Sequence, residues 1–458
     1  MDDRKVHVVG GGLVGSLAAI YLAQSNYPVT VYERSPDMRR TDVPAGRSIN
    51  LAVTSRGWKA LQEVGLKEKA LDLAIPMRGR MVHAIDGATT FIPYGQRADE
   101  IIHSVSRGSL NQLLLEKAAS YGSVELLFKQ RCTRFDVASS TLTVDDESDP
   151  EGHDVHAPVV IATDGAWSTV RKSMLASIRN FNYSQTFLGH AYKELEIPPA
   201  PHGGFSLDKH ALHIWPRQSY MLIALPNLGG SFTCTLFLAY AGPDSFATLT
   251  TPDSVVNFFE RAFPDAAALM PNLAEDFFTH PTSSMVTIKC SPWHVEGKVM
   301  LFGDAAHAIV PFFGQGMNCG FEDCSALGEE LKRVASDSAP NWSNLFATLE
   351  SQRKPNSDAI ADLAVENFVE MRDTVANPEF QLKKQIGFEL ERRFPEQFVP
   401  RYSMVVFRPD ISYSEAQQRG ILQDRILEEL CTGITSSDQI NWPLATQLVN
   451  RLTSARRA

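Results

Sequence analysis

No run of about eighteen consecutive apolar residues occurs anywhere in the chain, so a membrane-spanning helix is not expected. Cysteine is scarce: the six, at 132, 234, 290, 319, 324 and 431, include no C-x-x-C pair, which argues against a disulfide framework or a zinc ribbon and for free thiols in a reducing compartment. Basic charge is short as well. The 43 Lys and Arg against 53 Asp and Glu leave a formal charge of −10, which offers no general attraction to nucleic acid or to an anionic membrane. A glycine cluster begins at residue 10, before a charged and apolar leader could be built, so secretion is not expected. No metal site is expected either.

With 458 residues and 44% hydrophobic content the chain should hold two or three packed units. What is present begins at Lys5. Val6, Val8 and Val9 read as a strand, the next glycines as a tight turn, Leu13 to Ala23 as a helix and Val29 to Tyr32 as a second strand. Gly10-Gly11-Gly12-Leu13-Val14-Gly15 is thus a G-x-G-x-x-G between strand and helix. Its first glycine permits the turn, the second lets the backbone approach a pyrophosphate, and the third allows close helix packing, while the helix N-terminus offers N–H groups to the phosphates. Glu33 ends the second strand, where an acid accepts hydrogen bonds from the adenosine ribose and disfavours a 2′-phosphate. The tightly held nucleotide is therefore FAD or NAD and not NADP.

Two later segments repeat the passage from a buried strand through a tight turn to a helix. Val159 to Ala162 leads into Asp164-Gly165 and on to Ser168 and Arg171; Lys298 to Phe302 leads into Gly303-Asp304-Ala305-Ala306-His307 and then Pro311-Phe312-Phe313-Gly314-Gln315-Gly316-Met317-Asn318. Taken singly, either fits any strand-to-helix connection. His307, alone in an alanine-rich turn, reads as a packed residue and not as a base or ligand. Phe181 to Val286 carries short β-like runs, among them His213 to Trp215, Tyr220 to Leu225 and Phe232 to Leu238, and reads as a separate sheet. From Phe321 the pattern is helical, with Leu327, Leu331 and Val334 in phase, and Glu366 to Val375 continues it. The acidic stretch Asp145 to Asp154 reads as an exposed hairpin tip.

In this order the three motifs resemble the GxGxxG, DG and GD fingerprints of the single-component flavoprotein hydroxylases, the family that includes para-hydroxybenzoate hydroxylase. The resemblance implies tightly bound FAD and an α/β architecture: an FAD-binding Rossmann-like domain from 1–75, 100–180 and 290–335, an inserted β-sheet substrate domain from 76–99 and 181–289, and a helical C-terminal part over 336–458. The cofactor-binding set it implies is Gly10, Gly12, Val14, Gly15, Glu33, Arg34, Ala52, Arg107, Cys132, Asp164, Asp304, Gly316, Met317 and Asn318. Within that set the first motif holds the ADP half, Asp304 contacts the ribityl chain and Arg107 contacts the flavin. Gly316 to Asn318 place a helix N-terminus beside the flavin pyrimidine, where its positive end favours the anion of the reduced ring. Only one dinucleotide signature occurs, so NADPH is expected as a transient co-substrate without a Rossmann domain of its own.

A closer resemblance runs through nearly the whole chain. The segments Gly46 to Ala52, Met77 to His83, Leu212 to Pro216, Gly303 to Asn318, Glu366-Asn367 and Arg401 to Met404 resemble the kynurenine 3-monooxygenase branch of that family. The resemblance implies hydroxylation of L-kynurenine to 3-hydroxykynurenine with NADPH and O2 through a flavin C4a-hydroperoxide, a step of tryptophan catabolism in which the flavin carries the chemistry and no protein nucleophile is needed. Kynurenine is a zwitterionic amino acid with an aromatic amine, so its site needs a cation, polar groups and an apolar slot. The implied residues are Arg80 for the carboxylate, Tyr94 and Tyr402 beside it, Asn367 as a neutral polar partner, and Met221, Leu225, Phe237, Phe312 and Phe313 around the ring. Phe313 stands where bacterial members carry histidine, so no imidazole help with proton transfer is expected there.

Eukaryotic members of the branch carry a C-terminal hydrophobic segment that docks on the outer mitochondrial membrane. Cys431 to Ala458 instead mixes Ser, Thr, Asp, Gln and Arg, so the chain as given is expected to be soluble and cytoplasmic, with the mitochondrial surface as its place if an anchor followed. A homodimer is compatible with these features. The rival readings are a flavin hydroxylase for another aromatic acid, a flavin halogenase, against which the lack of a W-x-W-x-I-P segment speaks, and an FAD-binding protein without turnover.

Overall fold

Val6–Val9 is buried along its whole length and lies inside a six-stranded sheet of the computed structural model, which describes residues 4–40, 50–334, 341–371 and 377–454. Residues 46–49 of the Gly46 to Ala52 segment and 372–375 of the Glu366 to Val375 stretch lie outside the described residues. The chain forms two compact units. The first comprises Met1–Ala74, Val105–Leu188 and Met285–Ala361; the second comprises Ile75–Ser104, Gly189–Ser284 and Asp362–Ala458. The stretch read as a helical C-terminal domain thus contributes as far as Ala361 to the first unit and from Asp362 to the second.

In the first unit the strands run in the order His294–Val295, Val299–Leu301, Val160–Ala162, Val6–Val9, Val29–Glu33 and Val124–Phe128. All neighbours are parallel except the first pair. Parallel strands covered on both faces must be apolar throughout, which explains the near-continuous Val, Ile and Leu of these short runs. The helix Leu13–Gln24 is buried from Leu17 to Ala23, and Gly328 on the helix Gly316–Val334 lets the two approach: a Cβ there would stand 2.4 Å from the Tyr21 ring. A small antiparallel sheet of Arg131–Asp136, Thr141–Asp145 and His153–His156 completes the unit. Its last turn is the acidic stretch, where Asp146 accepts from the Ser148 and Asp149 backbone N–H groups at 2.7 and 2.9 Å.

The second unit is built on strands Phe232–Ala239, Tyr220–Pro226, Ala211–Arg217, Gly79–His83 and Thr89–Pro93, antiparallel except where Gly79–His83 runs parallel to Ala211–Arg217. Residues from His190 onward extend it, pairing His190 with Ala239 through to Ile197 with Phe232. Because side chains alternate, one face carries Trp215, Leu222, Ala224, Cys234 and Leu236, which pack with Val255, Phe258, Phe259 and Ala262 of the helix Pro252–Ala262. That helix and the shorter Pro264–Ala267 and Leu273–Thr279 lie within the stretch read from sequence as sheet alone. They form because the apolar residues 255, 258, 259 and 262 recur at helical spacing behind a Thr251–Ser254 capping box. A second apolar cluster joins Ile386, Leu390, Ile426, Leu430, Leu448 and Val449 from three C-terminal helices, Pro378–Arg393, Tyr413–Cys431 and Trp442–Ser454.

All six cysteines are free thiols. No helix among the described residues is long and apolar enough to cross a membrane. Within the parallel sheet His7 lies against the Tyr32 hydroxyl at 3.1 Å, and burial followed by Lys5 lowers its pKa to about 4. The unfolded chain therefore binds a proton that the folded chain refuses between the ordinary histidine value and about pH 4, so stability is lost as pH falls through that window. The urea midpoint is expected to drop from pH 7 to pH 4.5 less steeply in His7→Phe than in the parent; identical slopes would contradict this.

Candidate active site

The glycines of the first motif differ in what surrounds them. Gly10 has φ +102°, and a Cβ on it would meet the Thr163 carbonyl at 2.6 Å; one on Gly15 would meet the Gly10 carbonyl at 1.9 Å. A Cβ on Gly12 would meet nothing within 4 Å. Two glycines thus close the turn while the third borders open space, at the N-cap of Leu13–Gln24, where no side chain caps the first turn. That is an anion cradle: N–H groups and the positive end of a 12-residue helix with room above them. Glu33 borders it, accepting from Gly11 N at 2.7 Å through Oε2 and from Ser35 N at 2.8 Å through Oε1, and each oxygen keeps a further lone pair for a ribose hydroxyl. Val14 would meet a Cβ on Gly303 at 3.1 Å and one on Gly320 at 2.6 Å, so it locks this loop to the third motif.

Asp164 serves first as a helix cap. Its Oδ2 accepts from Thr169 N at 2.7 Å and Val170 N at 3.2 Å, whereas Oδ1 is buried without a partner, and burial raises the carboxyl pKa. Cys132 is buried, with its thiol pushed up to about 12 by burial and then by Asp164; Arg34 is exposed. Asp304 is open to solvent yet crowded by protein, and the crowding raises its pKa against the pull of His307, Arg107 and Arg171. Arg107 is exposed and opens the helix Arg107–Ala119.

Gly316 is the first residue of the helix Gly316–Val334, and Met317 is half-buried. Asn318 has its side chain fully engaged: Nδ2 donates to the carbonyls of Ala52 and Gly314, both at 2.8 Å, and Oδ1 accepts from Thr54 N at 3.0 Å. What it can offer a ligand is its backbone N–H in the first helical turn. Phe312 and Phe313 are buried in the short turn Pro311–Phe313, also in the first unit.

The other residues expected around a substrate fall in the second unit. Arg80 pairs with Leu212, and Met221 with Pro216 and Phe237. With Leu225 two alternations along from Met221, Arg80, Met221, Leu225 and Phe237 share the sheet face opposite the Trp215 core. Arg80 is 6% exposed. The centre of its guanidinium lies 5.9 Å from the Tyr94 ring and 5.3 Å from the Tyr402 ring, and the two rings stack at 5.5 Å and 8°. Asn367, also buried, donates to the Met371 sulfur at 3.3 Å.

Two charged neighbours carry no sequence signal of their own. Glu370 brings Oε1 within 3.9 Å of Arg80 Nη1, too long for a tight ion pair. Lys384 donates to the Pro93 carbonyl at 3.2 Å, and burial followed by the charge of Arg80 lowers its pKa to about 7. Arg80 itself stays charged, since Tyr402, Tyr94 and Glu370 outweigh the effect of its burial. Among the described residues, Arg80 Nε and the Tyr94 hydroxyl are buried without a hydrogen-bond partner. An unpaired buried donor costs about 1–3 kcal/mol, and an anionic acceptor placed between the two would satisfy both.

Fold and cradle together define an FAD-binding protein of the aromatic-hydroxylase class. The FAD binding domain model matches residues 3–364. The chain belongs to the kynurenine 3-monooxygenase family of single-component FAD-dependent hydroxylases. It is 51% identical over 449 residues to the kynurenine 3-monooxygenase of Myxococcus xanthus (98% of this chain, 95% of the relative). It is 42% identical over 459 residues to that of Dictyostelium discoideum, with 98% of each covered. Among solved structures its fold is similar to 2-methyl-3-hydroxypyridine-5-carboxylic acid oxygenase (TM-score 0.66, 19% identity, covering 82% of this chain and 95% of the other). It is also similar to p-nitrophenol 4-monooxygenase from Pseudomonas putida (TM-score 0.64, 20% identity, covering 85% and 94%). FAD is the cofactor, and the open space at Gly12, the uncapped helix and the accessible Asp304 fit it.

The glycine geometry separates folding from cofactor binding. Gly12→Val is expected to keep the circular-dichroism spectrum and a melting point within a few degrees of the parent apoprotein while losing FAD, because its side chain would fill the cradle. Gly15→Ala is expected to lose both, its Cβ lying 1.9 Å from a carbonyl. A Gly12→Val protein that retains FAD at parent affinity would contradict the placement.

Proposed function

We infer that the protein hydroxylates L-kynurenine at C3, using NADPH and O2 as co-substrates. The observation that carries this reading is the pair of unpartnered buried donors, Arg80 Nε and the Tyr94 hydroxyl, beside an apolar sheet face. A guanidinium presents two parallel N–H groups to a carboxylate, and both phenols remain protonated donors at neutral pH: burial pushes Tyr402 up to about 12 and raises Tyr94 well above its ordinary value. Glu370 and Asn367, one helical turn apart, offer oxygen acceptors for the substrate ammonium. Met221, Leu225 and Phe237, on one sheet face, would line the ring's slot; Phe312 and Phe313 are the apolar residues the family resemblance adds to this set.

When bound, FAD supplies the two-electron chemistry that couples NADPH oxidation to oxygen insertion. Gly10, Gly12, Gly15 and Glu33 would hold its ADP half, Asp304 the ribityl chain, and the N–H groups at Gly316 to Asn318 the pyrimidine edge. Arg34, Ala52, Arg107, Cys132, Asp164 and Val14 complete the set. The remaining work of the chain is positional. The substrate's aromatic amine already enriches the ortho carbon in electron density, so the residues need only fix the ring and exclude water.

Two measurements test the reading. L-kynurenine added to the FAD-loaded protein with NADPH and air is expected to trigger NADPH oxidation and yield a product heavier by one oxygen, hydroxylated at C3. Arg80→Ala is expected to weaken kynurenine binding by about 2 kcal/mol or more, as the carboxylate would be left unpaired in a closed site. Parent affinity in that variant, or NADPH oxidation indifferent to kynurenine, would refute the reading.

A further inference from the structure

A chain of buried and half-buried charges runs beneath the third motif, and the reaction as described leaves it unused. Arg56 Nη1 contacts Glu322 Oε1 at 2.5 Å, Arg353 Nη2 contacts Glu322 Oε2 at 3.1 Å, and Arg353 Nε donates to Asp323 Oδ1 at 2.8 Å. The other Asp323 oxygen, Oδ2, accepts from the Gly303 backbone N–H at 3.1 Å and lies 2.7 Å from His307 Nε2. Gly303 N-caps the short helix Asp304–His307, and His307 ends it. One carboxylate oxygen is therefore tied to both ends of a single turn. The residue that this turn presents to solvent is Asp304, while Ala305, Ala306 and His307 are buried.

His307, Cys319 and Asp323 place one ligand atom each within 4.8 Å of one another. A cation there would meet the Arg353 guanidinium already bound to Asp323, so the cluster is better matched to an internal ion network than to a metal. Burial alone would strip the proton from His307, but Asp323 holds its pKa well above the ordinary range. The imidazolium is in turn the strongest charge lowering the pKa of Asp304.

We propose that Asp323 is a positioning residue for the cofactor: by clamping Gly303 and His307 it fixes the place of the Asp304 carboxylate. The proposal rests on the reading that Asp304 faces FAD. Asp323 touches no ligand atom itself; its effect on FAD passes through the turn it holds.

The test is FAD affinity, measured by fluorescence as apoprotein is reconstituted, together with the midpoint potential of the bound flavin and the melting point of the apoprotein. His307→Ala cuts one tie and leaves Asp323 paired with Arg353, so it should fold; it is expected to weaken FAD binding about tenfold, the scale of one charge-assisted hydrogen bond, and to shift the potential. His307→Gln, which restores a donor toward Asp323, should recover most of that affinity. Asp323→Asn should weaken FAD more than His307→Ala, and in an Asp304→Ala background neither substitution should weaken it further. Should Asp323→Asn fail to fold, the two His307 variants and their Asp304→Ala combinations decide the matter. If Asp304→Ala weakens FAD while the His307 variants bind it with parent affinity and potential and differ only in melting point, the proposal falls alone. If Asp304→Ala binds FAD like the parent, the reading of Asp304 falls and the proposal with it.

Discussion

A guanidinium enclosed by protein, whose nearest carboxylate among the described residues is Glu370 at 3.9 Å, is the constraint on which the second unit's site depends. Burying a cation is costly unless it is paired and hydrogen-bonded, and Arg80 is only partly so. The stacked faces of Tyr94 and Tyr402 compensate some of the charge, and Glu370 compensates more from a distance. What remains is unmet demand at Nε and at the Tyr94 hydroxyl. On the proposed reading a substrate carboxylate meets that demand and its ring lies against Met221, Leu225 and Phe237 on the same sheet face.

In the first unit several side chains of the cofactor set already spend hydrogen bonds on the backbone, although Asp164 Oδ1 stays unpartnered. Glu33 is bound to Gly11 and Ser35, Asp164 caps a helix, and Asn318 braces Ala52, Gly314 and Thr54. These side chains shape the backbone, and the backbone then offers N–H groups toward the space beside Gly12 and the turn at Gly316. Rigidity of this kind suits a cofactor that stays, whereas unmet hydrogen bonds suit a substrate that comes and goes.

Much of this was legible in the sequence wherever contacts are local. The strand, turn and helix of residues 6–24 follow from adjacent residues, as do Asp304 at the head of its short helix and Gly316 at the head of the long one. Long-range partners leave no such trace: nothing in the neighbourhood of Asn318 shows that its amide is spent on Ala52, and nothing around Asp323 shows that it holds Gly303. Glu370 and Lys384 look like ordinary solvated charges in a helical pattern until the fold brings them beside Arg80. The helix Pro252–Ala262 is a different case, because its capping box and the spacing of Val255, Phe258, Phe259 and Ala262 were there to read within a segment otherwise punctuated like a sheet.

On the proposed reading the Arg80 guanidinium binds the substrate carboxylate. Calorimetric titration of the FAD-loaded protein with L-kynurenine and with its decarboxylated amine, which keeps the ring, the ketone and the ammonium, tests it directly. The account predicts that the amine binds at least about thirtyfold more weakly, the cost of leaving a buried cation and its phenol unsatisfied. Equal affinity for the two would contradict it.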